Sequence, residues 1–187
     1  MAALELFLIR HPRPAGGEGL CYGRLDLPLA DSADIAADRL RPLLPAAAPL
    51  FSSPLQRCRL LAASLRPTVQ VETRLAEMHF GDWEGQAWDA IPRPELDAWA
   101  ADISGYVPPG GESPAAVLAR LLDWAEELRR QRTSCAIAVS HAGPIRLLLC
   151  HVLGLPLSQW DRLPIDFGSL TQLRLSPYGG QVLACNL

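Results

Sequence analysis

The chain has 187 residues, a hydrophobic fraction of 49% and a net charge of −3, values typical of a soluble globular protein with one domain, residues 1–187. All 17 basic residues are arginine, which excludes lysine-based chemistry, and the acidic balance excludes a basic surface for nucleic acid. The apolar stretches are too short to span a bilayer and no basic region precedes the N-terminal run, so we expect a cytoplasmic protein that does not contact a membrane.

Short apolar runs alternate with amphipathic segments along the chain. We predict strands at residues 4–9, 50–52, 68–71 and 135–139, and a closing hairpin of residues 170–175 and 181–187. Helices are predicted from a cap at Ser32 to about residue 44, from Pro54 to near residue 65, from Ser113 onward, and over residues 144–153. Residues 74–109 are predicted to form short helices and loops that cover another part of the protein.

This alternation predicts an α/β fold of three layers, α/β/α, with a largely parallel sheet and helices on both faces. In such sheets the ligand site lies beyond the carboxyl ends of the strands. Arg10 and His11 follow the first predicted strand, Arg57 lies one helical turn after the second, and His141 follows the fourth. The sequence therefore predicts a site at this edge of the sheet.

Each of these residues alone has an ordinary structural explanation. A histidine after a strand is most often a hydrogen-bonded structural residue, and Arg57 could be a solvated helix residue. Together, two arginines and two histidines around a helix start would hold a dianionic phosphate from several sides. Backbone N–H groups at that helix start, such as that of Ala142, would complete the anion site.

Four motifs carry a family resemblance. They are Leu8-Ile9-Arg10-His11, then Ser52-Ser53-Pro54-Leu55-Gln56-Arg57, then Leu75-Ala76-Glu77 with Gly81-Asp82-Trp83-Glu84-Gly85, and finally Ser140-His141-Ala142-Gly143. In this order they resemble the histidine phosphatase (phosphoglycerate mutase-like) superfamily over residues 8–143. The resemblance implies that family's α/β fold and an enzyme that hydrolyses small-molecule phosphate monoesters.

The resemblance also implies roles for the residues. His11 would be the nucleophile that forms a phosphohistidine, while Arg10, Arg57 and His141 would hold the phosphoryl oxygens. Glu77 would donate a proton to the leaving group and then activate water, with its pKa raised by burial beneath the Trp83 region. Glu84 is the competing candidate, with a structural hydrogen-bonding role as the favoured interpretation.

No cofactor and no metal are expected. The arginines would supply the positive charge that an ion would otherwise provide. The five cysteines are scattered without a CxxC pair, which argues against a zinc site and a disulfide framework, and most of them are expected in the core.

Some residues depart from the family pattern. Pro12-Arg13-Pro14 follows His11 where the family has Gly and then Glu-Thr or Glu-Asn, so Arg13 either replaces the missing phosphate contact or is solvated. His79 is interpreted as a half-exposed residue near the site entrance. His151 is expected to be a core histidine bonded to backbone.

A narrower resemblance concerns the leaving group. Residues 21–29, Cys-Tyr-Gly-Arg-Leu-Asp-Leu-Pro-Leu, are similar to α-ribazole phosphatases of cobalamin biosynthesis. Tyr22, Gly23 and Arg24 would then bind substrate, with Tyr22 or Trp88 stacking on the benzimidazole. A broad-specificity phosphatase of the same superfamily and a non-catalytic phospho-ligand-binding module are the alternatives. The sheet edge near residues 170–187 could support a homodimer.

Overall fold

The computed structural model describes residues 3–187 and has the expected layered α/β architecture. The six strands within these residues are β1 (Leu4–Arg10), β2 (Leu50–Ser52), β3 (Gln70–Val71), β4 (Cys135–Ser140), β5 (Leu170–Ser176) and β6 (Gly179–Ala184), and they lie in the order β3-β2-β4-β1-β5-β6. Strands β1 to β4 are mutually parallel, β5 is antiparallel to β1, and β6 is antiparallel to β5. This confirms both the largely parallel sheet and the closing hairpin.

Local sequence explains where several helices begin and end. The Ser32 hydroxyl accepts a hydrogen bond from the Asp34 N–H, and the Ser113 hydroxyl accepts one from the Ala116 N–H. Gly154, with φ of 66°, ends the last helix in the left-handed conformation. The helices are α1 (Ala33–Leu40), α2 (Gln56–Leu65), α3 (Arg93–Ala101), α4 (Pro114–Arg130) and α5 (Ala142–Leu153).

The side chains of the central strands alternate between two buried cores. In β1, Leu6 and Leu8 belong to the core that includes residues of α4 and α5. Phe7 and Ile9 belong to the core that includes residues of α1 and α2. Because successive side chains of a strand point to opposite faces, the sheet lies between two helical layers. The predicted three-layer arrangement is confirmed.

The end of α1 and the start of α2 differ from the prediction. Helix α1 ends at Leu40 and a 3₁₀ turn follows, because Pro42 has no N–H for the α-helical ladder. Helix α2 begins at Gln56 rather than at Pro54, and its Gln56 N–H donates to the Asp26 carboxylate at 2.8 Å. Asp26 lies 30 residues away, so local sequence does not reveal this cap.

The prediction for His151 is wrong. His151 is exposed in the last turn of α5, where the helix leaves the core, and is not a core histidine. Ile35 in α1 is 73% exposed although it shares the helix with the buried Ala37 and Leu40.

The hairpin leaves strand β6 at one edge of the sheet. Tyr178, at its turn, is 99% exposed. A homodimer through this edge stays a prediction. Among the described residues, 3–187, no helix is long and apolar enough to cross a membrane.

The packing of α4 predicts the effect of truncating Leu121, which is fully buried. Leu121→Ala should lower the free energy of unfolding by about 2–5 kcal/mol, because it removes buried apolar contacts and leaves a cavity. Ile35→Ala, at an exposed helical position, should change it by less than about 0.5 kcal/mol. Urea unfolding followed by circular dichroism measures both, and similar losses would contradict this assignment of the core.

Candidate active site

The carboxyl ends of β1, β2 and β4 bring the predicted residues together. Strand β4 lies between β1 and β2, with Arg10 opposite Ser140 and Ser52 opposite Val139. The residues that follow these strands, among them His11 and His141, therefore meet at one edge. The centroids of the two imidazole rings are 5.0 Å apart.

His11 is held as a neutral imidazole of defined tautomer. Its ring is 2% exposed, and its Nδ1 lies 2.6 Å from the Pro12 carbonyl oxygen. A carbonyl oxygen only accepts, so Nδ1 carries the proton and Nε2 keeps its lone pair. Burial, and then the positive charge of Arg57, lower the pKa of His11 to about 3. The side chain therefore presents an unprotonated Nε2 at neutral pH.

Arg57 is fully buried, and among residues 3–187 no carboxylate is one of its hydrogen-bond partners. Its Nη1 donates to the Leu25 carbonyl at 2.8 Å and its Nη2 to the Gly23 carbonyl at 2.7 Å. Its Nε donates to His11 Nε2 at 3.3 Å. A buried cation with only neutral partners is costly, so this geometry favours binding of an anion beside it.

Arg10 supplies a second guanidinium at the same edge. Its guanidinium carbon lies 3.5 Å from the centroid of the Phe167 ring, and its Nη1 donates to the Ile165 carbonyl. Its buried Nε has no hydrogen-bond partner among residues 3–187. Burial lowers the pKa of Arg10, while Tyr22 and Glu77 act in the opposite direction.

His141 is fully buried at the start of α5. Its Nε2 lies 2.7 Å from the Ser53 hydroxyl and 3.4 Å from the Cys58 sulfur. Burial, followed by His11 and Arg57, holds the pKa of His141 well below its usual value. Helix α5 begins at Ala142, two residues earlier than predicted, so Ala142 lies at the helix start next to this imidazole.

Glu77 is the carboxyl group that faces this cluster. Its oxygens accept hydrogen bonds from the N–H groups of Met78 at 3.0 Å and Gly143 at 3.3 Å. Burial raises its pKa, against the opposing effects of these hydrogen bonds and of Arg57 and Arg10. A Cβ at position 143 would lie 2.3 Å from a Glu77 oxygen, so glycine is required there.

Burial of Glu77 beneath the Trp83 region stays a prediction. Trp83 stacks on Tyr106 and is edge-on to Trp99, at centroid distances of 5.7 and 6.0 Å. Its indole N–H donates to Glu95. The hydrogen bonds of the Glu77 carboxylate come from the N–H groups of Gly143 of α5 and of its neighbour Met78.

The residues predicted to bind the leaving group have different surroundings. Tyr22 lies beside the arginines, with its ring centroid 5.5 Å from the Arg57 guanidinium carbon. Gly23 holds Arg57 through its carbonyl, and Arg24 forms an ion pair with Glu112 at 3.1 Å. Trp88 stacks on Trp99 in the aromatic cluster, and its stacking on a substrate stays a prediction.

Glu84 has the structural contacts that the favoured interpretation requires. Its carboxylate accepts hydrogen bonds from the main-chain N–H groups of Phe80, Arg24 and Leu25. These bonds occupy both oxygens and leave Glu77 as the carboxyl group of the cluster. His79 is half-exposed, and its Nδ1 lies 2.9 Å from the Gly110 carbonyl oxygen.

A cavity of about 520 Å³ adjoins these residues. Phe167, whose ring centroid is 5.7 Å from that of His11, and Tyr22 form part of its wall. Arg13 and Glu18 are its charged residues, and the remaining wall comes from Ala30 and residues 14–17. The cavity is therefore placed to receive the group that carries the phosphate.

Sequence reasoning missed two residues of the site. Ser53 lies in a recognised motif and contacts His141, so its position after β2 was an available signal. Phe167 lies in the loop before β5 and contacts Arg10, but no pattern in the sequence marks it. Among residues 3–187, no group of three or more His, Cys, Asp or Glu side chains is arranged to hold a metal ion.

Comparisons with known proteins agree with this geometry. A model of the histidine phosphatase superfamily (branch 1) matches residues 6–187. Glucosyl-3-phosphoglycerate phosphatase of Mycolicibacterium vanbaalenii is 33% identical, over 87% of this chain and 80% of its own. Adenosylcobalamin/alpha-ribazole phosphatase of Escherichia coli is 28% identical, over 88% and 87%. The structure of alpha-ribazole phosphatase from Shigella flexneri has a TM-score of 0.83 at 25% identity, over 98% of this chain and 96% of that one.

The surroundings of His11 predict its protonation state in solution. Nitrogen-15 NMR of histidine-labelled protein should show His11 as the neutral Nδ1–H tautomer, with no titration from about pH 8 to about pH 5. The reason is that burial and Arg57 lower its pKa to about 3. His11→Gln identifies the signal. Protonation of His11 near pH 6.5, the unperturbed value, would contradict the assignment.

Proposed function

The chain belongs to the histidine phosphatase superfamily and is a phosphatase, and we propose that it hydrolyses small phosphate monoesters without a metal, through a phosphohistidine on His11. The observation that carries this proposal is the neutral His11 Nε2 beside the buried guanidinium of Arg57, which has no carboxylate hydrogen-bond partner in the described part of the chain. An unprotonated nucleophile next to an unneutralised cation suits attack on a dianionic phosphate, which can take over the Arg57 N–H that His11 Nε2 accepts in the structure.

In the first step, His11 Nε2 attacks phosphorus. The Nε2–P bond forms as the bond from phosphorus to the ester oxygen breaks, and protonated Glu77 gives its proton to that oxygen. Arg10 and Arg57 offset the charge on the phosphoryl oxygens. The Nδ1–H bond to the Pro12 carbonyl stabilises the positive charge that develops on the ring.

In the second step, water attacks the phosphohistidine. The Glu77 carboxylate takes a proton from this water as the new P–O bond forms and the N–P bond breaks. Inorganic phosphate leaves, and His11 returns to its neutral form with Glu77 protonated again. The raised pKa of Glu77 suits both halves of this cycle, because the carboxyl group must donate a proton and then recover one.

For the leaving group we favour α-ribazole 5′-phosphate, or the related cobalamin 5′-phosphate. The cavity beside His11 has the aromatic rings of Tyr22 and Phe167 in its wall, which suit a planar heterocycle. The similarity to alpha-ribazole phosphatases from two organisms supports this choice. The proposal places the enzyme in cobalamin biosynthesis.

A second candidate is a carboxylate-bearing sugar phosphate such as glucosyl-3-phosphoglycerate. The relative named for that substrate has the higher sequence identity, 33% against 28%. Arg13 is exposed, lines the cavity and has no side-chain hydrogen bond among the described residues, so it could bind a carboxylate. A broad-specificity enzyme would accept both types of substrate.

The role of Glu77 predicts a dependence on the leaving group. Glu77→Gln should lower kcat for alkyl phosphates by about 10²-fold or more, because an alkoxide needs a proton. The loss on p-nitrophenyl phosphate should stay below about tenfold, because p-nitrophenolate leaves without one. Steady-state phosphate release measures both. Equal losses would instead place Glu77 in the hydrolytic half of the cycle or in a structural role.

The substrate proposal is tested by phosphate release in EDTA from α-ribazole 5′-phosphate, glucosyl-3-phosphoglycerate, 3-phosphoglycerate, AMP and p-nitrophenyl phosphate. We expect the highest kcat/KM with α-ribazole 5′-phosphate. Tyr22→Ala should reduce that value roughly tenfold through lost stacking and change the value for 3-phosphoglycerate less. Preference for glucosyl-3-phosphoglycerate would favour the second candidate, and even activity would favour broad specificity.

Two variants serve as controls for the measurements on this set of substrates. His11→Ala should lower turnover of every substrate by at least about 10³-fold, because the nucleophile is lost. His151→Ala, at an exposed histidine of α5, should leave all rates unchanged. Activity retained by His11→Ala, or activity that requires a metal, would contradict the proposed mechanism.

A further inference from the structure

The Glu84 carboxylate accepts hydrogen bonds from residues 24 and 25, which belong to the segment whose carbonyl groups accept from Arg57. One oxygen, Oε1, accepts from the Arg24 N–H at 2.9 Å and from the Phe80 N–H at 3.0 Å. The other, Oε2, accepts from the Leu25 N–H at 2.5 Å. Glu84 thus fixes two successive main-chain N–H groups of residues 23–25, which we call the arginine-holding segment.

The carbonyl groups of the same segment point to Arg57. The Gly23 carbonyl accepts from Nη2 at 2.7 Å, and the Leu25 carbonyl accepts from Nη1 at 2.8 Å. The Gly23 carbonyl and the Arg24 N–H belong to one peptide group, which is planar and trans, so they point in opposite directions. That peptide therefore lies between the Glu84 carboxylate and the Arg57 guanidinium.

The Gly23–Arg24 peptide couples the Glu84 carboxylate to the Arg57 guanidinium electrostatically as well as structurally. A carboxylate that accepts from the N–H polarises the peptide and strengthens its carbonyl as an acceptor. Arg57 is fully buried and has no carboxylate hydrogen-bond partner of its own within residues 3–187. Glu84 can therefore stabilise the guanidinium without a direct carboxylate hydrogen bond that would compete with phosphate for Arg57.

The space around the segment leaves little freedom for this arrangement. A Cβ at position 23 would lie 1.9 Å from the Met78 carbonyl oxygen and 2.9 Å from Glu84 Oε1. Glycine at this position lets the segment approach Glu84 closely enough for the hydrogen bonds. The position of the segment is thus set from one side by Met78 and Glu84 and from the other by Arg57.

From this geometry we propose that Glu84 is a positioning residue for phosphate binding, which acts on Arg57 through the Gly23–Arg24 peptide and the Leu25 N–H. This inference rests on the proposed function, in which Arg57 binds the phosphoryl group. Arg57 also donates to His11 Nε2, so the same contact aligns the nucleophile with the anion site. Among residues 3–187, the hydrogen bonds of the Glu84 carboxylate come from main-chain N–H groups and not from His11, Arg57 or His141.

The test is a double-mutant cycle read by binding of inorganic phosphate, which requires neither turnover nor knowledge of the substrate. The variants are Glu84→Gln, Arg57→Lys and their combination, with phosphorus-31 NMR titration as the measurement. Glu84→Gln should weaken phosphate binding about tenfold in the wild-type background. In the Arg57→Lys background, Glu84→Gln should weaken phosphate binding less than about twofold, because the guanidinium that Glu84 positions is absent.

Stability measurements separate positioning from folding. Glu84→Gln should lower the free energy of unfolding in both backgrounds, while it should weaken phosphate binding chiefly in the background that keeps Arg57. Glu95→Gln is the matched control, because Glu95 accepts from the Trp83 indole N–H away from the arginine-holding segment. It should change phosphate binding less than about twofold in both backgrounds.

Equal weakening of phosphate binding in the two backgrounds, or lost stability with unchanged phosphate binding, would overturn the positioning role and leave the proposed function intact. A wild-type protein that binds no phosphate would overturn both. If Glu84→Gln does not fold, Glu84→Asp replaces it, since it retains the charge but withdraws the carboxylate by one methylene. The same dependence on Arg57 is then expected, and its absence would overturn the proposal.

Discussion

The buried guanidinium of Arg57 is the constraint on which the site depends. A cation removed from water is costly unless acceptors or an opposite charge compensate it. Here the compensation consists of two peptide carbonyls and one imidazole nitrogen, all of them neutral. The loop of residues 21–28 must therefore return over the sheet edge to supply those carbonyls, and Gly23 permits the close contact that this requires.

The positive charge of the arginines also shifts the pKa values of the neighbouring titratable groups. Burial and the arginines both disfavour protonation of His11 and His141, so the two imidazoles add no further charge. Glu77 is subject to opposing influences, because burial favours its acid form and the arginines favour its carboxylate. A carboxyl group in that balance can exchange a proton without a large change in the energy of the surrounding site.

Much of this arrangement could be predicted from local sequence, and the exceptions have a common origin. Strands such as residues 135–139 end in residues that meet at one edge of any parallel sheet, so their positions follow from the order of elements. The contacts of Asp26 with α2 and of Phe167 with Arg10 join distant parts of the chain and leave no local pattern. The exposure of His151 likewise depends on where α5 leaves the core, which helical periodicity alone does not specify.

The burial of Cys58 beside the site determines how the site responds to oxidants. Its sulfur lies 3.4 Å from His141 Nε2, close to the reaction centre, but the side chain is fully buried and burial raises the pKa of the thiol. Oxidants and alkylating reagents react with thiolates that solvent can reach, and this sulfur is neither ionised nor accessible. Peroxide at concentrations that inactivate enzymes with a cysteine nucleophile should therefore leave this active site chemically intact.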